Sequence, residues 1–389
     1  MNTFLTKPNR QPLAYLAGSA VTRYGRHEGQ SSLDLMSQAA EAALADAGLQ
    51  RGDVDGVLCG YTTTLPHIML ATLFAEHFGV RPSYATSLQM GGATGLGLLM
   101  QAAQLVRIGA ARRILVVAGE NRATGQSRDS VVQTLAQVGH PVFEVPLGAS
   151  IPAYYGLVAA RYMKDHGVGE RDFAALAVLM RQHATRHPGA QFRTPITEDD
   201  VLASKPVASP LKLLDCCATA DGGSAFVVTH EPCSAHAVRI TCAAQHHNAQ
   251  HVSAMEDITA FGAAGCVARA LDGAGRSLAD VEHAAIYDSF TITLGMLLEE
   301  IGLAPRGRAG PLAREGHFGR DGVLPLNLHG GLLSYGHCGV AGAMAHVVEA
   351  HLQLTGRAQD RQTRRAGLAL LHADGGVLSS HVSVVLESA

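Results

Sequence analysis

Short apolar runs alternate with Ala-rich segments of helical periodicity along the whole chain. The run RRILVVAGE (112–120) follows the helix-like segment LGLLMQAAQLVRIG (96–109), and SAFVVTHE (224–231) follows a glycine turn. Runs of apolar and β-branched residues bounded by turn residues are typical of buried strands. The alternation therefore predicts an α/β fold with buried strands.

Two segments of this kind match each other, ALADAGLQRGDVDGVLCG and ALDGAGRSLADVEHAAIYDSF. Each predicts a helix that ends at glycine, followed by a loop and a buried strand. The identical residues keep a constant spacing of 227 positions: Ala43 and Ala270, Leu44 and Leu271, Ala47 and Ala274, Gly48 and Gly275, Asp53 and Asp280, Val54 and Val281.

A second correspondence joins two glycine-flanked helices further along the chain. In both of them fourteen positions separate the last two glycines, and a predicted strand follows, RILVVAG in one case and GLALLHA in the other. Two matched units in the same order indicate an internal duplication. The matched glycines are Gly92, Gly95 and Gly109 in the first helix and Gly339, Gly342 and Gly356 in the second.

The duplication predicts two halves, residues 1–240 and 241–389, with an insertion at about 121–210 in the first half. The two matched helices would begin at 91–95 and 338–342, near the pseudo-twofold axis. The start of a buried helix presents free N–H groups and the positive end of the helix dipole. We therefore expect the two helix starts to share one oxyanion or anion site.

Composition and charge remove several classes of function. Of the 389 residues 47% are apolar and 16% are charged, with a net charge of −3, so the basic surface typical of nucleic-acid binding is missing. No apolar run approaches the ~18 residues of a membrane span, and the first residues lack the apolar core of a signal peptide. Seven cysteines without a CxxC pair argue against a disulfide framework or a zinc site. We expect a cytoplasmic protein that binds no metal, nucleic acid or membrane.

Several strings spread over nearly the whole chain resemble the thiolase superfamily, and within it the sterol-carrier-protein-type thiolases. The resemblance implies two duplicated βα halves, whose mixed five-stranded sheets sandwich buried helices, with a loop and helical insertion in the first half. The strings are SLDLMSQAAEAALADAGLQRGDVDGVLCG, PLKLLDCCATADGGSAFVV, IYDSFTITLGMLLEEIGL, LPLNLHGGLLSYGHCGVAGAMAHVVEAHLQLTG and HADGGVLSSHVSVVL.

The chain departs from the family at the nucleophile. In thiolases a Cys at the start of the first buried helix is acylated by a CoA thioester, within the motif Cys-small-Ser/Thr-Gly. Thr94 and Gly95 match the end of that motif, so the position of the nucleophile falls on Gly92. Without a thiol the usual acyl-enzyme does not form. We expect the vacant position at Gly92 to leave room for a bulky or branched substrate.

Other parts of the family's site match with changes. His337 matches the His of the Gly-His-Pro loop, with Cys338 in place of Pro, and Tyr287-Asp288-Ser289-Phe290 stands where the family has Asn-Glu-Ala-Phe or His-Asp-Cys-Phe. We predict that Tyr287, His337 and Cys338 are catalytic. The predicted substrate-binding residues are Gly92, Asp288, Ser289, Asn327, Tyr335 and Gly339.

The chain lacks the Cys and has Tyr in this segment. Thiolase-like proteins with these two features resemble the lipid-transfer-protein-type steroid side-chain aldolases. That resemblance implies retro-aldol cleavage of a β-hydroxyacyl-CoA, which needs a base for the hydroxyl proton and donors for the enolate oxygen. Tyr287 would serve as the base if a neighbouring cation or hydrogen-bond donor lowered its pKa. His337 would polarise the thioester carbonyl with the N–H groups at Gly339 or around Gly92.

Two alternatives remain open. The chain could be a thiolase or acyltransferase that recruits Cys338, or a catalytically silent scaffold that stabilises an active homologue. In the alternative interpretation these residues have only structural roles: Tyr287 is a buried phenol of the core, and Cys338 and the pair Cys216–Cys217 are small core residues. The retained polar set Tyr287, Asp288, Asn327 and His337 favours an enzyme.

The resemblance also implies binding partners. No cofactor is expected beyond coenzyme A as part of the acyl-CoA substrate. The family suggests a homodimer, and the aldolases suggest an accessory protein with an OB fold and a zinc ribbon.

Overall fold

The computed structural model describes residues 11–389, apart from the side chain of Arg128. Residues 1–10, which belong to the first predicted half and to the segment examined for a signal peptide, lie outside the described residues. The strands are β1 (Ala14–Val21), β2 (Gly56–Gly60), β3 (Tyr84–Leu88), β4 (Arg113–Asn121), β5 (Pro206–Ala208), β6 (Leu211–Lys212), β7 (Asp221–Thr229), β8 (Val238–His247), β9 (His283–Ile286), β10 (Leu368–Gly375) and β11 (Ser380–Glu387).

Within residues 11–389, nine strands form one mixed sheet in the order β3-β2-β4-β7-β1-β8-β11-β10-β9. The antiparallel pairing of β1 with β8, from Ala14–Ile240 to Leu16–Val238, joins two half-sheets. Outward from this joint both halves repeat the same directions: an antiparallel pair, a second antiparallel pair, then a parallel pair. The repeated topology confirms the duplicated α/β fold.

The outermost strand differs between the halves. In the first half β3 pairs in parallel with β2 over five residues. In the second half the equivalent position holds a single parallel bridge between Ala284 and Leu326. The next residue, Asn327, has φ of 45°, and its side-chain amide hydrogen-bonds both backbone groups of Ile286, so the chain turns away from the sheet. Among the described residues the second half-sheet therefore has four strands and a bridge, where five strands were expected.

Two buried helices form the central layer. Helices α3 and α11 contact each other and strands of both half-sheets, while α1 covers the outer face of the first half-sheet and α8 that of the second. The helices are α1 (Ser32–Ala47), α2 (Leu70–Phe78), α3 (Thr94–Arg107), α4 (Arg128–Ala136), α5 (Ile151–His166), α6 (Glu170–Ala184), α7 (Glu198–Ala203), α8 (Ala263–Ala274), α9 (Thr291–Ile301), α10 (Ala309–Arg314) and α11 (Val340–Leu354).

The duplicated helices α1 and α8 end as the sequence predicts. Gly48 and Gly275 follow them with φ of 68° in both cases, a left-handed conformation that glycine adopts without steric cost. At its other end α1 is capped by Ser31, whose hydroxyl accepts from Asp34 N while the Asp34 carboxylate accepts from Ser31 N.

The segment between β4 and β7 corresponds to the predicted insertion at about 121–210. It runs over residues 122–220 and carries four helices, α4 to α7, and the short β5–β6 hairpin. Its helix α6 packs against α9 and α10 of the second half, and α5 also contacts α9. The insertion thus covers the end of the second half-sheet, next to the residues that follow β9. No helix in the described part of the chain is long and apolar enough to cross a membrane.

Candidate active site

Both predicted glycine turns lead into buried helices. Before α3, the hydroxyl of Thr94 accepts from Met90 N at 2.9 Å and donates to Gly91 O at 2.6 Å, which closes the turn. Before α11, Gly339 has φ of 61°, so the chain enters the helix through a conformation that favours glycine. Because α3 and α11 pack together, the two turns lie at neighbouring places in the fold.

A tyrosine–histidine pair connects the two turns. The hydroxyl of Tyr287 lies 3.2 Å from Nε2 of His337, and their rings meet edge to face at 80°. Tyr287 extends β9, with its N–H donating to His372 O at 2.9 Å. His337 is held by backbone hydrogen bonds to Ala218 O and from Ala220 N. Each ring is therefore positioned by sheet-like pairing of its own backbone.

Burial fixes the charge of this pair. It raises the pKa of the Tyr287 phenol well above its usual value, and the nearby Asp374 carboxyl raises that pKa further. Burial also lowers the pKa of His337 to about 3, with a further decrease from the charge of Arg122. Both side chains are therefore neutral near pH 7. A phenolate base at Tyr287, expected from the sequence if a cation lay nearby, does not fit this environment.

The space above Gly92 is not vacant. A Cβ at this position would overlap the phenol of Tyr287 and the backbone oxygen of Asp374. Tyr287 thus occupies the volume that a side chain at the start of α3 would need. The expectation that Gly92 leaves room for a bulky substrate is wrong, because the phenol already fills that room.

Asp288 supports the loop that leads to His337 rather than facing the pair. Its carboxylate accepts from Leu332 N at 2.8 Å and Leu333 N at 3.3 Å, and it lies 3.4 Å from Nε2 of His346. The side chain is fully buried and its oxygens hold the helical turn Gly331–Tyr335, so its contacts show a structural role, and its substrate contact stays a prediction.

Asn327 is likewise committed to the backbone. Its Oδ1 accepts from Ile286 N at 2.8 Å and its Nδ2 donates to Ile286 O at 2.7 Å. The side-chain amide thus makes the hydrogen bonds that the backbone of a neighbouring strand would make. The buried amide therefore fixes the path of the chain beside β9. A substrate contact of Asn327 stays a prediction.

Tyr335 and Cys338 point away from Tyr287. The Tyr335 ring packs 4.7 Å from the rings of Tyr24 and His187, and burial raises the pKa of its phenol. Cys338 is fully buried, with its Sγ close to Gly222 and to the Tyr24 phenol, and burial raises the pKa of its thiol to about 12. Cys338 is therefore not a reactive thiolate, and Tyr335 is a core residue.

Two further predicted residues lie near the pair. Ser289 is 7% exposed; its hydroxyl is 3.4 Å from that of Thr293, and its carbonyl accepts from Cys217 N. Gly339 faces the carboxylate of Glu120, which occupies the volume that a Cβ would need. The start of α11 is therefore already next to an anion of the chain itself, contrary to the expected free oxyanion site.

Sequence reasoning missed a buried ion pair at that helix start. Arg122 Nη2 lies 2.9 Å from Glu120 Oε2, with side chains 7% and 2% exposed. The other carboxylate oxygen of Glu120 accepts from the backbone of Thr63 and Thr64 and from the Thr63 hydroxyl. Glu120 lies near the end of the buried strand β4, and Arg122 directly follows that strand. Charged residues at the end of a buried strand were the signal that the sequence offered.

A buried acid on the other side of the pair was also missed. Asp374, 1% exposed, ends β10 within the quoted string HADGG and accepts from the Tyr155 hydroxyl at 3.2 Å. Burial raises the pKa of this carboxyl to about 7. The signal in the sequence was an acidic residue in a glycine turn after a strand. Its contact with Tyr155 could not be foreseen, because Tyr155 belongs to the insertion, far away in the sequence.

The glycines around Asp374 allow two turns to touch. A Cβ on Gly91 would come within 2.8 Å of Gly376 N, and one on Gly375 would overlap Met90 O. The turn before α3 and the turn after β10 therefore pack backbone against backbone. This packing carries Asp374 to the same small volume as Gly92 and Tyr287.

A cleft of about 560 Å³ lies elsewhere, against α6 and α10, with Arg186, Arg314 and Arg320 in its wall. None of its lining residues belongs to the Tyr287–His337 pair, which stays the predicted reactive site. In the described part of the chain, no group of His, Cys, Asp and Glu is arranged to hold a metal ion.

Comparison with known proteins identifies the family of the chain. The model of the thiolase N-terminal domain matches residues 15–232, and the thiolase C-terminal domain-like model matches residues 244–388. The chain is 32% identical to a steroid side-chain-cleaving aldolase of Thermomonospora curvata, over 85% of this chain and 89% of that protein. It is also 32% identical to the 17-hydroxy-3-oxo-4-pregnene-20-carboxyl-CoA lyase of Mycobacterium tuberculosis, over 82% of this chain and 86% of that protein.

Among solved structures, that of the Ltp2-ChsH2(DUF35) aldolase superposes with a TM-score of 0.84 at 30% sequence identity, over 97% of this chain and 98% of that one. The resemblance found in the sequence is thereby confirmed at the level of family and fold. The chain belongs to the thiolase family.

Proposed function

We propose that this protein cleaves a carbon–carbon bond of a β-hydroxyacyl-CoA by a retro-aldol reaction, without an acyl-enzyme. The observation that carries the proposal is the Tyr287 phenol, which fills the space above Gly92 and contacts His337. A tyrosine in the place of the acyl-carrying thiol favours proton transfer over covalent catalysis. The aldolase and CoA-lyase names of relatives at 32% identity support the same reaction class.

The cysteines near the site do not offer a substitute nucleophile. Burial raises the pKa of Cys338 and of Cys217 to about 12, so both are thiols at pH 7. Nucleophilic attack on a thioester by cysteine needs the thiolate. The variant function as a thiolase or acyltransferase using Cys338 therefore has no support in the site's chemistry.

The reaction is balanced by proton transfers alone. The β-hydroxyl gives up its proton, the Cα–Cβ bond breaks, and its electron pair passes to the thioester as an enolate. Protonation of the enolate at Cα then yields a shorter acyl-CoA beside an aldehyde or ketone. His337, a neutral imidazole, would donate a hydrogen bond to the enolate oxygen, and the protonated Tyr287 would supply the proton for Cα.

We further propose that the protein works with partners. The ChsH2(DUF35) component of the aldolase structure supports a DUF35-type partner for this chain, which the sequence resemblance describes as an OB-fold and zinc-ribbon protein. A homodimer is proposed from the family resemblance, together with the open edge of β3. The seven free cysteines fit a reducing compartment such as the cytoplasm. Coenzyme A enters as part of the substrate, with no separate cofactor.

The proposal is tested by incubating the purified chain with a β-hydroxyacyl-CoA, alone and with a DUF35-type partner, without free CoA. We expect a carbonyl product and a shorter acyl-CoA, measured by mass spectrometry. Tyr287→Phe should lower kcat/KM by about 10²–10⁴-fold, the usual contribution of a proton-transferring group. Tyr335→Phe, which removes a buried phenol hydroxyl outside the pair, should retain kcat/KM within about 3-fold.

The outcomes separate three functions. Cleavage of a β-ketoacyl-CoA that depends on free CoA would identify thiolysis instead. No turnover of either substrate with any partner would leave the scaffold as the function. An equal loss of kcat/KM in the two tyrosine variants would show that the phenol of Tyr287 has no specific role in the reaction.

A further inference from the structure

Asp374 is a buried acid close enough to raise the pKa of the Tyr287 phenol, and no step above uses it. Asp374 is 1% exposed, and its backbone oxygen packs against Gly92 in the volume that Tyr287 also fills. Its Oδ2 accepts from the Tyr155 hydroxyl at 3.2 Å. Among the residues that the structure describes, Oδ1 has no hydrogen-bond partner.

Two other buried carboxylates have a donor for each of their oxygens. The buried carboxylate of Asp288 holds two backbone N–H groups, and that of Asp215 accepts from the Thr291 hydroxyl and from Lys212 N. Buried acceptors in folded proteins nearly always have a donor, so a buried carboxylate oxygen without one is available to a ligand or a water. Oδ1 of Asp374 is thus free to accept a hydroxyl proton from a bound molecule.

The surroundings of Asp374 contain few titratable groups. Tyr155 approaches from α5 and Tyr287 from the end of β9, while α3 presents only the backbone of its glycine turn. On β10 and β11, His372 and His381 are hydrogen-bonded to each other at 3.2 Å. Burial raises the pKa of Asp374 to about 7, and hydrogen bonding from Tyr155, together with the nearby backbone N–H groups of Leu378 and of Asp374 itself, opposes that rise. A base with a pKa near the working pH is the most effective kind.

We propose that Asp374 is the base that accepts the β-hydroxyl proton of the substrate. This inference rests on the proposed retro-aldol reaction and adds an orientation: the hydroxyl lies towards Asp374 and the thioester oxygen towards His337. The carboxylate takes the proton as the Cα–Cβ bond breaks. Tyr287 protonates Cα of the enolate and then regains a proton from Asp374, so both groups return to their starting states.

Tyr155 is the positioning residue in this scheme. Its hydroxyl donates to Oδ2 of Asp374, and its ring packs 4.5 Å from that of Phe290. The hydrogen bond holds the carboxylate in one rotamer and stabilises its ionised form, since donation to a carboxylate favours the charged state. Phe at this position would keep the ring packing and remove the donor.

The test compares the pH dependence of kcat/KM for carbonyl release in the full chain, with a partner if one is needed. For the natural protein we expect kcat/KM to rise with pH to a plateau, with a midpoint near the pKa of Asp374, about 7. Asp374→Asn should reduce kcat/KM by about 10²–10⁴-fold and abolish that rise. Tyr155→Phe should move the midpoint to higher pH, because the carboxylate loses a donor. Asp215→Asn, a buried acid with two donors of its own, should leave the profile unchanged.

Each result decides between explanations. Retention of the same midpoint in Asp374→Asn, or in Tyr155→Phe, would overturn the assignment of the base while the retro-aldol function stands. If Asp374→Asn does not fold, the midpoint shift of Tyr155→Phe still decides the question. If the natural chain releases no carbonyl product at any pH, the proposed function itself fails, and this inference fails with it.

Discussion

The starts of α3 and α11 arose from one duplicated element, yet different groups fill them. Above Gly92, at the start of α3, lies the neutral phenol of Tyr287. Above Gly339, at the start of α11, lies the carboxylate of Glu120, which Arg122 neutralises at 2.9 Å. A negative charge is favoured at a helix N-terminus by the helix dipole. The second start is therefore satisfied internally, whereas the first keeps a proton donor that can react.

The two helix starts share a frame but differ in what fills them, which is consistent with the single reactive centre proposed above. Both turns have the same backbone requirement, a glycine that lets another segment approach. The groups that approach come from elsewhere in the chain, namely the end of β9 for Tyr287 and the end of β4 for Glu120. Duplication thus supplies the two helix starts, and side chains from other segments of the chain determine the chemical character of each.

The largest effect is expected from removing the cation at the α11 start. Arg122→Met would leave Glu120 buried without its ion-pair partner, which typically costs about 3–5 kcal/mol of folding free energy. The same change should raise the pKa of His337, since the charge of Arg122 lowers it. Urea unfolding measures the first effect, and imidazole NMR titration the second.

The matched control is Arg308→Met in the exposed pair with Glu315, whose side chains are 51% and 56% exposed. An exposed ion pair contributes about 0–1 kcal/mol, so this variant should unfold almost as the natural protein does. Similar losses in both variants would mean that the Glu120–Arg122 pair is not special to the α11 start.

A smaller effect is expected from adding a methyl group at the α3 start. In Gly92→Ala the new Cβ must displace the Tyr287 phenol or the Asp374 backbone, and overpacking of this kind costs about 1–3 kcal/mol. The displaced phenol should lose its contact with His337, so carbonyl release should fall as well. Thermal unfolding and the cleavage assay measure the two effects.

Gly52→Ala is the control, because nothing lies within 4 Å of a Cβ at that position. Gly92→Cys carries the same overlap, so we expect no acyl-enzyme to be detected by intact-protein mass spectrometry. A well-folded Gly92→Cys variant that is acylated by a β-ketoacyl-CoA would contradict the idea that Tyr287 has taken over the space.

The periodic features of the fold were accessible from the sequence. Apolar runs, glycine helix ends such as Gly48 and Gly275, and the repeat spacing are local signals, and they predicted the α/β class and the duplication. The truncated edge of the second half-sheet was not accessible. It depends on the φ of Asn327 and on the contact of its amide with Ile286, which no pattern in the sequence encodes.

The sequence singled out two residues that the structure brings together, but it did not reveal the long-range contacts of the other side chains. Tyr287 and His337, chosen by motif, lie 3.2 Å apart. Tyr335, two residues from His337, faces the opposite way because its ring packs on Tyr24 and His187. Asp374 depends on a contact with Tyr155, which is 219 residues away in the chain. Long-range burial of this kind decides pKa values, and a single sequence does not reveal it.

The smallest effect is expected at the residue next to His337. Cys338→Ala removes a fully buried Sγ at the α11 start, and loss of one small buried group costs about 1 kcal/mol. Because burial holds the pKa of this thiol at about 12, no thiolate is lost, and carbonyl release should stay within about 3-fold of the natural rate. Measured side by side, stability should drop slightly while kcat/KM stays level. A loss of 100-fold or more without unfolding would place the missing nucleophile at the second helix start, and the contrast between the two starts would be reversed.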